Sequence, residues 1–290
     1  MKKLLAGALL AMVVSCTGCG ANTPSQQSAE VQEEKQEEAA TPYALVSESM
    51  ELPSLKGAGV PVYDKLTRRE RMEKGLPAGL PKLDPKDSGK VAYLTFDDGP
   101  DDRNTMAVLD ILKEEKVPAT FYVVGKRAES YPDTVKRMAE EGHAVGNHSY
   151  DHDYGRLYAS PQAFLAEMEQ TDEIFMRILG MRPLILRAPG GVVGHFNDSY
   201  WEALREAGYV EHDWNVSSAD AAPGHPVAQD FIDNINGQTE NVSESHAAII
   251  LMHCSEGHEE TVKALPEIIR LLREKGYQFG VVTPMTPQPW

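Results

Sequence analysis

The residues with the greatest chemical potential in this chain stand in five short groups. The first is Thr95-Phe96-Asp97-Asp98-Gly99-Pro100, where two adjacent carboxylates end an apolar run, Val91–Phe96. The run has the character of a buried strand, and Gly99-Pro100 turns the chain out of it. Side chains alternate along a strand, so Asp97 and Asp98 are set for two different tasks, one at a metal and one at a proton. The second group, His148 and His152, places two imidazoles four residues apart. On a helical turn they share a face and can ligate one ion. With Asp98 as third donor, the set suits Zn²⁺ with one position left for water. Arg187, Asp220 and His253 supply the remaining groups. Each has a plain structural reading on its own: Asp-Asp-Gly-Pro is ordinary turn chemistry, and a lone histidine at a strand end is usually structural. His143 precedes its strand and is read as structural.

What argues for a shared purpose is the elements that carry these residues. From Lys90 onward strand and helix signals alternate. Strands are expected at Val91–Phe96, Ala119–Val124, Ala144–Asn147, Leu184–Arg187, Tyr209–Val216, Ala247–Met252 and Gln278–Val282. Helices are expected at Arg103–Glu115, Asp133–Glu141, Pro161–Leu179, Ser199–Ala207, Val227–Gln238 and Thr261–Lys275. Strands alternating with helices imply α/β architecture, a parallel sheet forming a distorted or incomplete (β/α)7 barrel. All five groups then fall at or just past strand C-termini, the face where such barrels build active sites.

The rest of the chain bounds the setting. A net charge of −16 argues against nucleic acid as a partner. Met1–Val14 has two lysines and then an apolar stretch, the pattern of an export signal rather than a membrane span. Small residues and two cysteines follow, so residues 1–20 resemble a bacterial lipoprotein signal, with either Cys16 or Cys19 carrying the lipid. Residues 21–42 form an acidic, low-complexity linker expected to be disordered. Residues 43–89 are a Pro-rich connector, helix-like near Lys65–Lys74, expected to pack on the domain at 90–290. Cys254 alone remains beyond the leader, so the domain has no internal disulfide to draw on. The expected location is outside the cytoplasm, held to the outer face of the membrane by a lipid, or else secreted. No protein partner is expected.

In order along the chain, Thr95-Phe-Asp-Asp-Gly-Pro100, His148-x-x-x-His152, Arg187-Ala-Pro-Gly-Gly191, Asp220 and Leu251-Met-His253 resemble the five motifs of the polysaccharide deacetylases of the NodB-homology type, carbohydrate esterase family 4. The resemblance covers roughly Lys90–Thr283, and its C-terminal part looks like the peptidoglycan branch. It implies a metal-dependent hydrolase that removes N-acetyl groups from N-acetylglucosamine or N-acetylmuramic acid of cell-wall glycan and releases acetate. It also implies roles. Asp98, His148 and His152 would hold a divalent ion, Zn²⁺ or else Co²⁺, Ni²⁺ or Mn²⁺. Asp97 would be the general base, with Arg187 keeping it charged and aimed. The Gly190 N–H would meet the oxyanion. His253 would protonate the leaving amine, oriented by Asp220, and Leu251 would wall the acetyl methyl.

Three departures from the family pattern bear on the pocket. Gly190 stands where many members have an aromatic, Ala221 where many have Trp, and Cys254 where many have Asp. Trp214 either replaces some of the lost surface or packs in the core. The rival readings are a deacetylase of chitin oligosaccharides, an acetylxylan esterase, and an inactive glycan-binding module that kept the fold.

Overall fold

Strand and helix signals resolve into a curled parallel sheet backed by helices. The computed structural model describes residues 41–53, 59–85, 89–242 and 247–289. The expected leader and most of the expected linker lie outside them. The described part belongs to one unit, Ala40–Trp290. No helix among the described residues is long and apolar enough to cross a membrane.

In chain order the elements are β1 (Ala44–Leu45), β2 (Val62–Asp64), α1 (Arg68–Glu73), β3 (Val91–Asp97), α2 (Asn104–Glu115), β4 (Thr120–Val123), α3 (Gly125–Ser130), α4 (Pro132–Glu140), β5 (Ala144–Asn147), α5 (Tyr154–Leu157), α6 (Pro161–Leu179), β6 (Arg182–Pro183), β7 (Ile185–Leu186), α7 (Asp198–Ala207), β8 (Val210–Glu211), β9 (Val216–Ser217), α8 (Ala228–Thr239), β10 (Ala248–His253), α9 (Glu259–Glu274) and β11 (Gln278–Gly280). The local chemistry explains the longest boundaries. Ser160 Oγ accepts from the Ala163 N–H at 3.1 Å, Pro161 occupies the first turn of α6, and Gly180 ends it at φ 70°.

The large sheet has the order β8-β7-β5-β4-β3-β10-β9, with β11 pairing off this path to the start of β3. Its pairs are parallel, as the expected incomplete barrel requires. Period-2 alternation divides β3 cleanly. Ala92, Leu94 and Phe96 face the helix-backed core with Val108, Leu112 and Ile268, while Val91 and Tyr93 point into the curl with Tyr122, Ile185 and Ile249. Thr95 and Asp97 continue that inner stripe. On β10, Leu251 and His253 continue it from Ile249.

One expected strand is corrected. Tyr209–Val216 is not a single strand: Val210–Glu211 lies at one edge of the sheet and Val216–Ser217 at the other. Residues 212–215 carry the chain between the two edges. Tyr209, Val210, Trp214 and Val216 give the segment a strand's apolar content, but its polar centre, His212-Asp213, marks the crossing. Two short helices, α3 and α5, were also absent from the sequence reading.

The segment before β3 supplies β1 and β2, which join β6 in a second, three-stranded sheet. The Val145 N–H donates to Tyr63 Oη at 2.9 Å. Asp64 binds two buried arginines, Arg71 and Arg182.

Candidate active site

Strand β3 ends by delivering Asp97 into the curl and then leaves extended geometry, since Asp98 has φ 68°. This left-handed turn re-aims Asp98 toward the loop after β5. That loop carries His148 and His152, and here a second expectation is corrected. The two histidines do not sit on a helical turn; residues 148–153 are loop, with Ser149 at φ 66° and His152 at φ 63°. The loop is fixed by local polar contacts. Asn147 Oδ1 accepts from the Ser149 N–H at 3.1 Å, and Ser149 Oγ accepts from the His152 N–H at 3.1 Å. The outcome that helical spacing was invoked for is reached by another route.

Asp98 Oδ1 lies 3.5 Å from His148 Nε2 and 3.4 Å from His152 Nε2. The three donors lie within 4.8 Å of one another. His148 Nδ1 is 2.8 Å from the Arg187 carbonyl, which can only accept. The proton therefore sits on Nδ1 and leaves the Nε2 lone pair facing Asp98. Burial holds His148 below the ordinary imidazole range, despite Asp97 and Asp98 nearby. A neutral imidazole with its lone pair aimed at a carboxylate and a second imidazole is a donor set that fits a divalent cation.

Asp220, His253 and His258 form a second group with donor atoms within 4.8 Å of one another. Its chemistry differs. His253 and His258 stack with centroids 5.0 Å apart and planes at 20°, so their in-plane lone pairs run side by side rather than converging. The tilt between His148 and His152 is 56°. The first group is thus the better cation site.

Asp97 is buried and held by Arg187, whose Nη1 donates to Asp97 Oδ1 at 2.9 Å and to Thr95 Oγ1 at 2.7 Å. Arg187 is itself fully buried. Its Nε donates to the His212 carbonyl and its Nη2 to the Asp213 carbonyl, at 2.8 and 3.1 Å. Its guanidinium lies over the Tyr122 ring at 4.3 Å and near Trp214 at 5.7 Å. The other oxygen of Asp97, Oδ2, is 3.8 Å from His148 Nε2 and so borders the candidate cation site.

His253 pairs in register with Asp97 across β10 and β3. Its Nδ1 is 2.8 Å from Asp220 Oδ1, and its backbone N–H donates to Asp220 Oδ2 at 2.7 Å. Thr261 Oγ1 also donates to that oxygen, at 2.8 Å. Burial alone would depress the His253 imidazole, but the hydrogen bond and charge of Asp220 outweigh it and raise it to about 9. Burial likewise opposes charge on Asp220, and the bonds from His253 reverse this and hold it below the usual carboxylate range. Nδ1–H donates to Asp220, which leaves Nε2 of His253 as its other donor.

The pocket residues are placed as follows. Leu251 is buried on the inner stripe, two residues before His253. Trp214 is partly buried against the curl interior and close to Gly191, where an added Cβ would come within 3.2 Å of its ring. Gly190 is exposed with φ 75°. Ala221 lines a cleft of about 600 Å³ beside Asp220, so the smaller residue leaves open space where a larger one would stand. Cys254 is fully buried and packs against Thr105 and Gly99. His143 accepts from the Ala119 N–H at 3.1 Å, a structural contact. The sequence assigns no role to Asn147, Thr261, Tyr154 or His258, and Thr95 stands in the first motif without one. Asn147, next to His148, and Tyr154, two residues past His152, adjoin a motif and could have been found by that proximity.

Comparison with known proteins agrees with this constellation. The family profile described as polysaccharide deacetylase matches residues 84–212. A peptidoglycan-N-acetylglucosamine deacetylase of Bacillus cereus is 35% identical over 198 residues, spanning 66% of this chain and 68% of that protein. A peptidoglycan-N-acetylmuramic acid deacetylase of Bacillus subtilis is 32% identical over 196 residues, spanning 66% of this chain and 69% of that protein. Among solved structures, the catalytic domain of a peptidoglycan N-acetylglucosamine deacetylase from Eubacterium rectale superposes with a TM-score of 0.64 at 30% identity, covering 71% of this chain and 95% of that one. An incomplete parallel barrel, a buried Asp–Arg pair, an Asp–His–His cluster and an Asp–His pair at strand ends, together with these likenesses, place the chain in the polysaccharide deacetylase family, carbohydrate esterase family 4.

Proposed function

We propose that this chain hydrolyses the N-acetyl groups of peptidoglycan, at N-acetylglucosamine or N-acetylmuramic acid, and releases acetate and a free amine. The observation that carries the reading is the juxtaposition of Asp97 with the Asp98–His148–His152 cluster on one side and His253 on the other. Asp98, His148 and His152 would hold the divalent ion, with Zn²⁺ the best match to two imidazoles and a carboxylate. When bound, such an ion supplies a Lewis acid that polarises the amide carbonyl and eases deprotonation of water.

The chain's own groups do the rest. Asp97 Oδ2, with Oδ1 held by Arg187, accepts the proton of the attacking water. The Gly190 N–H would meet the carbonyl oxygen as it gains charge. His253 donates its Nε2 proton to the leaving nitrogen as the C–N bond breaks, and Asp220 stabilises the imidazolium until then. Asp97 then gives up its proton and His253 regains one from solvent. Leu251 lines the wall of the acetyl pocket. Function outside the cytoplasm, with the domain tethered by a lipid on Cys16 or Cys19, fits a cell-wall substrate and the exported leader.

The test is acetate release from peptidoglycan, chitin oligosaccharides and acetylxylan, each with and without added Zn²⁺ or Co²⁺. Metal-dependent release from peptidoglycan is the expected result. Release from chitin or xylan alone would replace the substrate. No release from any of them, with glycan still bound, would make the chain an inactive binding module.

A further inference from the structure

Gly190 lacks the aromatic side chain that many family members present there, yet the space is filled. An ideal Cβ on Gly190 would fall 2.7 Å from Tyr154 Oη, 3.0 Å from Cε1 and 3.2 Å from Cζ. The ring of Tyr154 therefore occupies the volume that a side chain at 190 would enter. It arrives from a different element, the first residue of α5, directly after the cation loop. Its ring lies 5.3 Å from that of His152, edge to face at 72°.

The ring is supported from behind. Tyr158 and His195 lie 5.9 and 6.0 Å from it, and those two stack on each other at 4.0 Å with planes at 11°. Tyr158 Oη donates to the Pro189 carbonyl at 2.6 Å, which ties this aromatic group to the Arg187–Gly191 turn. Tyr154 itself remains 44% exposed. A large aromatic surface left open beside a cation site, backed by two further rings, is a preformed wall rather than part of the core.

We propose that Tyr154 forms the glycan-facing aromatic wall of this site, in place of a side chain at position 190, and stacks on the C–H face of the sugar ring. The inference rests on the deacetylase reading for its substrate and adds a residue that the family motifs do not supply. Stacking needs the ring and not the hydroxyl. It also serves binding of the sugar rather than the bond-breaking step.

The experiment compares wild type, Tyr154→Phe and Tyr154→Ala on N-acetylglucosamine oligomers, reading kcat and KM separately. The same two substitutions in a metal-loaded Asp97→Asn background are titrated with N-acetylglucosamine tetramer to give Kd. With ring stacking of ordinary strength, Tyr154→Ala should raise KM and Kd roughly two- to tenfold. Tyr154→Phe should match wild type, and metal content and melting temperature should hold in both. Unchanged KM and Kd in Tyr154→Ala would overturn the proposal. So would a Tyr154→Phe variant as impaired as Tyr154→Ala, because the hydroxyl would then be the acting group. If wild type releases acetate neither from these oligomers nor from peptidoglycan, the deacetylase reading fails, and the tetramer titration still decides whether Tyr154 is a wall.

Discussion

At the scale of single residues, the site separates three jobs that can be tested one at a time. Asp98, His148 and His152 point their donors at one small volume. His148→Ala or His152→Ala should therefore abolish metal retention and activity while the domain stays folded. Elemental analysis finding a full metal complement in the folded double variant would remove the assignment. Asp97 faces Arg187 with one oxygen and the reaction volume with the other. Asp97→Asn should keep its metal and lose rate by about 10²–10⁴-fold, the usual contribution of a general base. A kcat close to wild type would sink that role. The third job is the one proposed for His253, which must be protonated to serve as the acid. Its pKa is raised to about 9 by Asp220, so the active form persists below that value and is lost as pH rises through it. The alkaline limb of kcat/KM should thus lie well above the free-imidazole value of about 6.5. Asp220→Asn keeps the shape and removes the charge, so it should move that limb downward and leave the acid limb nearly fixed. Superimposable profiles would mean that Asp220 only caps its loop.

At the scale of elements, the sequence was most informative where one rule acted alone. Strands β3 and β10 were legible because their apolar runs end in chemistry-bearing residues at a sheet's C-terminal edge. Helices α2 and α6 were legible from periodicity and punctuation. The failures came where two rules competed. His148 and His152 have helical spacing, but Ser149 and His152 adopt left-handed backbone, and Asn147 and Ser149 side chains hold the loop. Periodicity cannot see such contacts. Residues 209–216 look like one strand because β8 and β9 are only two residues each, and the polar centre His212-Asp213 is the one local sign that they lie at opposite edges. Arg187 explains how that crossing is stabilised, since it bonds to Thr95 and Asp97 on β3 and to the carbonyls of His212 and Asp213 in the crossing. Arg187→Ala would leave buried Asp97 and two carbonyls without their donor. It should cost about 3–5 kcal/mol of stability, besides activity. Equilibrium denaturation showing a loss below about 1 kcal/mol would mean that the crossing holds itself.

At the scale of the whole molecule, a buried polar chain links the segment before β3 to the cation loop. Asp64 Oδ2 accepts from Arg71 Nε at 2.7 Å and from Arg182 Nη2 at 3.2 Å. Arg182 Nη1 reaches Asp172 Oδ2 at 3.4 Å, and Asp172 Oδ1 accepts from Asn147 Nδ2 at 3.0 Å. Asn147 in turn holds the Ser149 N–H. Two arginines and two carboxylates balance in charge, and Arg71, Arg182, Asp64 and Asp172 are each at most 2% exposed. Removing one member strands its partners in a medium where an unpaired charge is costly. Asp64→Ala leaves Arg182 with Asp172 alone, and Arg71 loses its only carboxylate among the described contacts. The expected loss is about 3–5 kcal/mol. For a domain of this size, that lowers the melting temperature by roughly 2–4 °C per kcal/mol. Because the chain runs on to Asn147, metal affinity should fall as well, although Asp64 touches no cation donor. Arg68→Ala is the control: it removes a partly exposed pair between α1 and Glu169 on α6, where loss of an ion pair costs about 0–1 kcal/mol. If Asp64→Ala melts and binds metal as Arg68→Ala does, the segment is a passive cover and the cation loop stands on its own contacts.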